Sequence, residues 1–288
     1  MSFGHCGLDW LHSLLDSHKQ ILIMPALSFF RCWKILGAEK ATNAREMYNI
    51  WYNYINRYIG PDCKNEQKKF LHSDQEMKLF FTQFYQLLES GGINKNAVFW
   101  AIHQAYANAK QIDFNQKSVV VSHEHLPWPF EHILNDFPES NIMMIVRDPR
   151  ASIAGLCYGR EKEFGFLPDY TFNMIMEHWF QSQDMWNKYQ FNLGNKFKVV
   201  KNEEMHNNLE KSMHELAAWL GVDYNNSLLC STFATGEPAP TDSKYLENRK
   251  EPQSLDTYYL PKNVKERWMS VLKDPREILM IENLLHDI

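Results

Sequence analysis

The 288-residue chain has no window approaching 18 uncharged apolar residues, so a membrane-spanning helix is not expected. It has no basic excess. Its 30 Lys and Arg against 35 Asp and Glu give a formal charge of −5, and neither nucleic acid nor membrane is an expected partner. Its five cysteines, Cys6, Cys32, Cys63, Cys157 and Cys230, include no CxxC pair. An odd number without a framework suits a reducing, cytoplasmic setting, and no metal is expected. The opening MSFGHCGLDW lacks the basic-then-apolar succession of a secretion signal. No internal repeat or low-complexity segment is present. With 44% apolar residues, the length suffices for one large α/β domain or two small ones.

The stretch from Ser118 to Tyr158 organises the rest. Val119 to Val121 is a short β-branched run, ended by Pro127 and Pro129, and Phe130, Ile133, Leu134 and Phe137 follow at helical spacing. Asn141 to Val146 is a second apolar run, as in a parallel strand buried on both faces. Arg147-Asp148-Pro149 stops it, and proline is tolerated in the first turn of the helix that begins there. Each strand therefore delivers polar residues at its carboxyl end: His123, Glu124 and His125 after the first, Arg147, Asp148 and Arg150 after the second. Open α/β sheets bind ligands at that rim. A base candidate and an anion-binding candidate arrive there together.

At the N-terminus, Met1-Ser2-Phe3 reads as a very short strand and Gly4-His5-Cys6-Gly7 as a loop. Leu11, Leu14, Leu15 and His18 then mark a helix face. Such a loop can turn backbone N–H groups and a helix N-terminus towards a phosphate. The full GxxxxGK[ST] pattern is absent, which leaves an ATPase or kinase little support. Residues 21 to 115 are expected to be mostly helical. TNAREMYNIWYNYINRY, SDQEMKLFFTQFYQLLES and NKNAVFWAIHQAYANAK each start near Thr, Ser or Asn, and Gly91-Gly92 separates two of them. Trp51, Tyr52, Tyr54, Tyr58, Tyr85, Trp100 and Tyr106 read most simply as core. Further on come a long helix through Met176, Trp179 and Trp186, a strand over Lys196 to Val200, and a helix from Leu209 stopped by Gly221. A polar loop over 234–262 leads to two closing helices, around Val264 to Leu272 and Pro275 to Leu285.

These segments resemble the cytosolic sulfotransferases. His125-Leu126-Pro127 is similar to the family's K-T-H-L-P, whose histidine is the catalytic base. RDPRASIAG, Arg147 to Gly155, is similar to R-x-P-x-x-x-x-x-S, which binds the 3′-phosphate of the donor PAPS (3′-phosphoadenosine 5′-phosphosulfate). Arg147 follows His125 by 22 positions, close to the family spacing. GHCGLDW, Gly4 to Trp10, aligns without gaps to the 5′-phosphosulfate loop P-K-S-G-T-T-W. Asn202-Glu203-Glu204-Met205 resembles Y-E-D-M/L, with Asn202 in the place of the adenine-contacting tyrosine. Ser231-Thr232-Phe233 resembles T-S-F, and Arg249-Lys250-Glu251 resembles R-K-G. The resemblance spans residues 4 to about 272. The family's K-x-x-x-T-V-x-x-x-E dimer motif is not evident, and oligomeric state stays open.

The resemblance implies a single domain over 1–288. Its fold would be P-loop NTPase-like α/β, a central parallel sheet flanked by helices, with a helical insertion at about 37–115 over the acceptor pocket. It implies transfer of a sulfuryl group from PAPS to a hydroxyl or amine of a small molecule, leaving PAP. His125 is the implied general base, and His123 falls on the lysine of K-T-H as a second cation. His5 stands where the family loop has a catalytic lysine or arginine. Cys6, Gly7, Leu8, Asp9 and Trp10 continue the donor loop. Arg147 forks onto the 3′-phosphate, and Ser152 stands in for the family serine, whose position is Gly155. Phe233, Arg249 and Lys250 complete the donor site.

Leu8 and Asp9 replace two threonines. A carboxylate there opposes a phosphate unless a positive group compensates, so Asp9 and Glu124 are expected to favour a cationic acceptor, as in sulfation of alkaloid-like natural products. Blander readings stand beside these: Asp9 caps the helix, Glu124 faces solvent, Trp10 and Phe233 are ordinary core, and Arg249-Lys250 is an exposed basic pair. The altered loop also fits a catalytically weakened PAP- or PAPS-binding protein. A P-loop phosphotransferase has less support.

Overall fold

The computed structural model describes residues 3–4, 6–24, 27–58, 71, 73–124, 130–164, 169–234, 236–238, 272 and 274–283. Strand β1 (Ile21–Ile23) pairs in parallel with β2 (Val119–Val121), Ile21 opposite Val119. Strand β3 (Ile142–Val146) pairs in parallel with β4 (Phe197–Lys201), Ile142 opposite Phe197. A short antiparallel pair, β5 (Thr232–Phe233) and β6 (Glu237–Pro238), lies apart from these.

Successive side chains of a strand point to opposite faces, and here the two faces feed two different cores. Leu22, Ile142, Met144 and Phe197 join one cluster, with Val120 and Val146 packed against it. Ile21, Ile23, Ile145 and Val200 join the other, with Val119, Val121 and Met143 against it. Both faces of the parallel strands are therefore covered, which explains why β1, β2 and β3 are apolar throughout, whereas β4 carries Lys198 and Lys201.

The helices divide accordingly. On the first side lie α2 (Phe29–Ile35), α3 (Ala44–Tyr58), α4 (Asp74–Gly91), α5 (Lys95–Ala109) and α6 (Phe130–Asp136). They bury Phe29, Trp51, Ile55, Phe80, Phe84, Ile102 and Tyr106. On the second side lie α1 (Leu8–Leu15), α7 (Pro149–Phe164), α9 (Asn202–Asn207), α10 (Leu209–Leu220) and α11 (Pro275–Asn283). They bury Leu11, Leu14, Ile153, Met205, Leu216 and Ile281. The long α8 (Asp169–Leu193) serves both, giving Trp179 to one core and Tyr189 to the other.

Parallel strands need long crossovers. The β1–β2 crossover carries α2 to α5, the expected helical insertion, and the β3–β4 crossover carries α7 and α8. Side-chain caps set several helix starts. Asn43 accepts from the Glu46 backbone N–H while Glu46 accepts from Thr42, Ser73 accepts from Glu76, and Asn94 accepts from Ala97. Gly221, in the left-handed region at φ 70°, ends α10.

Three expectations need correction. Of the expected strand Met1-Ser2-Phe3, Met1 and Ser2 lie outside the described residues and Phe3 is a bend. The first strand of the described chain is Ile21–Ile23, after α1, inside the stretch read as mostly helical. Three residues are too few to show a period, and only pairing with β2 identifies them. Of the aromatics read as core, Trp51 and Tyr106 are fully buried, whereas Tyr52 and Trp100 are exposed on the outer faces of α3 and α5. The helix expected around Val264 lies outside the described residues.

Trp51 stacks on Phe29 with ring centroids 5.3 Å apart and planes 3° from parallel, and it is fully buried. Trp51→Ala should cost about 3–5 kcal/mol of unfolding free energy by urea titration. A loss below about 1 kcal/mol would mean that the helical side is not packed as described.

Candidate functional site

The loop entering α1 is held by its own backbone. Gly7 is the N-cap residue at φ 91°, ψ 22°. A Cβ added there would lie 2.2 Å from Asn202 Nδ2, and one added at Gly4 would lie 2.9 Å from Leu156 Cδ2. Gly7 thus meets both a conformational and a spatial requirement for glycine. Between the two glycines, Cys6 is buried, its Sγ 3.4 Å from Ser152 Oγ, and it also receives the Arg147 backbone N–H. Burial pushes its thiol up to about 11, only partly offset by the Ser152 bond and the Arg147 charge. Cys6 is therefore a protonated anchor at neutral pH, not a nucleophile.

At the end of β3, Asp148 organises the start of α7. It accepts from the Arg150 backbone N–H at 2.9 Å, and the Arg150 guanidinium reaches the same carboxylate at 2.6 Å. This pairing raises the Arg150 pKa further. The Asp148 N–H in turn donates to Glu203 Oε1 at 2.9 Å, tying the end of β3 to α9. Ser152 is fully buried against Cys6, so its hydroxyl holds the loop from below.

At the end of β2, His123 is buried, with Nε2 3.4 Å from Asp9 Oδ1 and Nδ1 2.9 Å from His12 Nδ1. Glu124 is 1% exposed. Its Oε1 accepts from the Phe30 backbone N–H at 3.0 Å and lies 3.4 Å from Ser122 Oγ. Its Oε2 makes no hydrogen bond among the described residues. Burial raises the Glu124 carboxyl to about 7, against the lowering effect of the Phe30 and Arg31 N–H groups. Two of the blander readings are excluded by this geometry. Glu124 does not face solvent, and Asp9 does not cap α1, whose cap position is Gly7 with no side-chain cap bond.

Trp10 is buried and stacks on His206, centroids 4.2 Å apart and planes 11° from parallel. Ser231 and Thr232 are moored to α1: Ser13 Oγ donates to Ser231 Oγ at 3.0 Å, and Asp16 accepts from Thr232 Oγ1 at 3.1 Å and Gly236 N at 3.0 Å. Phe233, half-buried on β5, is held beside them. Leu8 is buried under the loop. His5, His125, Arg249 and Lys250 lie outside the described residues.

Loop, β2 end and β3 end thus meet: Cys6 reaches Arg147 and Ser152, and α1 reaches His123. Two residues here carried no warning in the sequence. His12 follows Asp9 by three positions and His206 follows Asn202 by four, so each pair shares a helix face. Spacing alone did not mark them. Among the described residues no group of three His, Cys, Asp or Glu is placed to hold a metal ion, and no helix is long and apolar enough to cross a membrane.

Residues 6–226 match the model of the sulfotransferase family. No curated protein matches the chain in sequence. Among solved structures, the sulfotransferase domain from the Synechococcus PCC 7002 olefin synthase is similar, with a TM-score of 0.59 and 14% identity, covering 100% of this chain and 93% of that one. The sulfotransferase domain from the curacin biosynthetic pathway is similar, also at 0.59, with 15% identity, covering 99% of this chain and 95% of that one. At these identities the likeness is one of fold.

The Glu124 carboxyl titrates near 7 when folded against an ordinary value of 4.5. A raised folded value means that the folded state binds the proton more tightly. Its stabilising contribution is full below about 4.5 and is lost as pH rises through about 7. Glu124→Gln keeps the acceptor for the Phe30 N–H and removes the ionisation. The variant should therefore gain stability on the parent by about 3 kcal/mol between pH 4.5 and pH 8, read from urea midpoints. An unchanged difference across that range would contradict a buried, ionising Glu124.

Proposed function

The chain belongs to the sulfotransferase family, and on that premise we propose that it transfers a sulfuryl group from PAPS to a hydroxyl or amine of a small-molecule acceptor, releasing PAP and a proton. One observation carries this reading: the glycine loop is bonded to both strand ends, through Cys6 to Arg147 and Ser152 and through α1 to His123. This supports a site in which the loop, Arg147 and His123 share one rim, where open α/β sheets bind ligands.

In this reading the Gly7 loop and the start of α1 hold the 5′-phosphosulfate, aided by His5 as a cation. Arg147 binds the 3′-phosphate, with Trp10, Phe233, Arg249 and Lys250 completing the donor site. Cys6 and Ser152 support the loop rather than touch the donor. His125 accepts the acceptor's proton as general base, since imidazole titrates near neutral pH. His123 provides an N–H near the oxygen that takes up charge as the S–O bond to the 5′-phosphate breaks.

A second reading of the base rests on Glu124. A buried carboxyl raised to about 7, with Oε2 making no hydrogen bond among the described residues, has the basicity a general base needs. The same property supports a cationic acceptor, because a positive group alongside would favour the ionised carboxylate. The olefin synthase and curacin origins of the similar solved domains support a biosynthetic small-molecule acceptor. The competing class, a weakened PAP-binding protein, draws its support from the missing loop lysine and threonines.

Arg147→Ala should weaken PAP binding about 30- to 100-fold by calorimetry, the loss of a charge-assisted bidentate contact. Equal affinity in variant and parent would remove Arg147 from the donor site. The choice of base follows from single-turnover transfer at saturating PAPS. His125→Ala should slow it about 100- to 10,000-fold with PAP affinity little changed. If Glu124→Gln shows the larger loss and His125→Ala the smaller, the base is Glu124. If the parent binds PAP yet transfers nothing to any acceptor class, the chain is a binding protein.

A further inference from the structure

We infer that His123 and His12 work as one hydrogen-bonded pair facing the Asp9 carboxylate, in which His12 is a positioning residue, fixing the tautomer and ring plane of His123 so that His123 presents an N–H beside the donor loop. The chemical role rests on the sulfotransferase reading above; the arrangement of protons does not.

Two imidazole Nδ1 atoms 2.9 Å apart need one proton between them. Which ring supplies it is decided at the far side of His123. Nε2 lies 3.4 Å from the Asp9 carboxylate, whose negative charge favours the tautomer with its hydrogen on that nitrogen. A neutral His123 then has its lone pair on Nδ1, and His12 must donate from its own Nδ1. The nearby carboxylate thereby favours one tautomer of each ring. The rings are tilted by 54° with centroids 5.1 Å apart, a hydrogen-bonding rather than a stacking geometry. Two cationic rings would set N–H against N–H at this contact, so the pair holds at most one positive charge.

The neighbouring acids are engaged elsewhere. Glu124, next in the chain, accepts from the Phe30 N–H. Asp16, just past the end of α1, accepts from Thr232 and Gly236. Among the described residues Asp9 is the carboxylate paired with His123, and its exposed side chain lies at the surface while both rings are buried. At 3.4 Å the Asp9 contact is long for a charge-assisted bond. The His123 N–H can accordingly be shared with an anionic oxygen brought alongside. When the S–O bond to the 5′-phosphate breaks and its electron pair goes to the phosphate oxygen, that N–H stabilises the charge. The loop has leucine and aspartate at positions 8 and 9, so an oriented ring from β2 supplies a donor that this loop does not.

The test joins a spectroscopic and a kinetic measurement on the full chain. Nitrogen-15 spectra of labelled histidine should show His12 protonated at Nδ1 and His123 at Nε2. In single-turnover transfer from PAPS, His12→Leu should lose about 10- to 100-fold, the usual effect of removing a partner that orients a functional imidazole. His12→Asn, whose amide N–H reaches where Nδ1–H does, should recover to within about 5-fold of the parent, and PAP affinity should stay within about twofold in both. Equal losses in the two variants, no loss in either, or PAP affinity falling in step with turnover would overturn the inference. If the parent binds PAP but transfers nothing, the functional reading has failed. The spectra then decide the arrangement alone, and a His12 ring protonated only at Nε2 overturns it.

Discussion

Everything in the candidate site depends on the gap between Gly7 and Asn202. The backbone of Gly7 sits at φ 91°, and the Asn202 amide occupies the space where a side chain on Gly7 would be. Such close approach is available only to glycine. It lets α1 start directly above α9 and places Trp10 flat against His206 on that helix. The same approach sets Cys6 against Ser152 at the start of α7. The loop, α7 and α9 are thereby fixed to one another by packing and hydrogen bonds rather than by exposed ion pairs, which contribute little.

Electrostatics at the rim follow from burial. The chain is acidic overall, yet the acids near the rim are each engaged. Asp148 is shared by Arg150 and the start of α7, Glu203 takes the Asp148 N–H, and Asp16 holds β5 and the following turn. Glu124 meets burial in another way, by a raised pKa, so that near neutrality it carries only part of a negative charge. A rim engaged in this manner opposes an anionic ligand less than the formal charge suggests. Asp9 remains the acid with an exposed side chain at the loop, and its partner is an imidazole.

Most strands and helices between Val119 and Gly221 were legible because each had a physical signature, whereas α9 and the β5–β6 pair were not read. The run Ile142–Val146 is apolar on both faces, Pro149 opens α7, and Gly221 closes α10. What was not legible depended on distant partners. Ile21–Ile23 is defined by pairing with β2 across the whole helical insertion. Glu124 reads as a loop carboxylate in the sequence and becomes buried only because α2 brings the Phe30 N–H to it. His12 reads as one polar position on an amphipathic helix, and its role needs His123, 111 residues away, to be seen. Local pattern determines an element. Which side chains meet is settled by the crossovers that bring the strand ends together.

The departures from the family pattern are related to one another through these contacts. At position 202, an amide small enough to lie 2.2 Å from the Cβ position of Gly7 stands where the resemblance has an aromatic ring. A tyrosine could not occupy that space and would have to turn outward. Four residues on, on the same face of α9, His206 supplies a ring that stacks on Trp10. The loop shows a parallel exchange: leucine at 8 fills the core beneath it, aspartate at 9 pairs with His123, and His123 leans on His12. The positions that lose a polar contact to the donor gain a packing or imidazole contact within the protein. The altered loop is therefore a coherent local structure in which Leu8 and Asp9 each have a packing or imidazole contact within the protein.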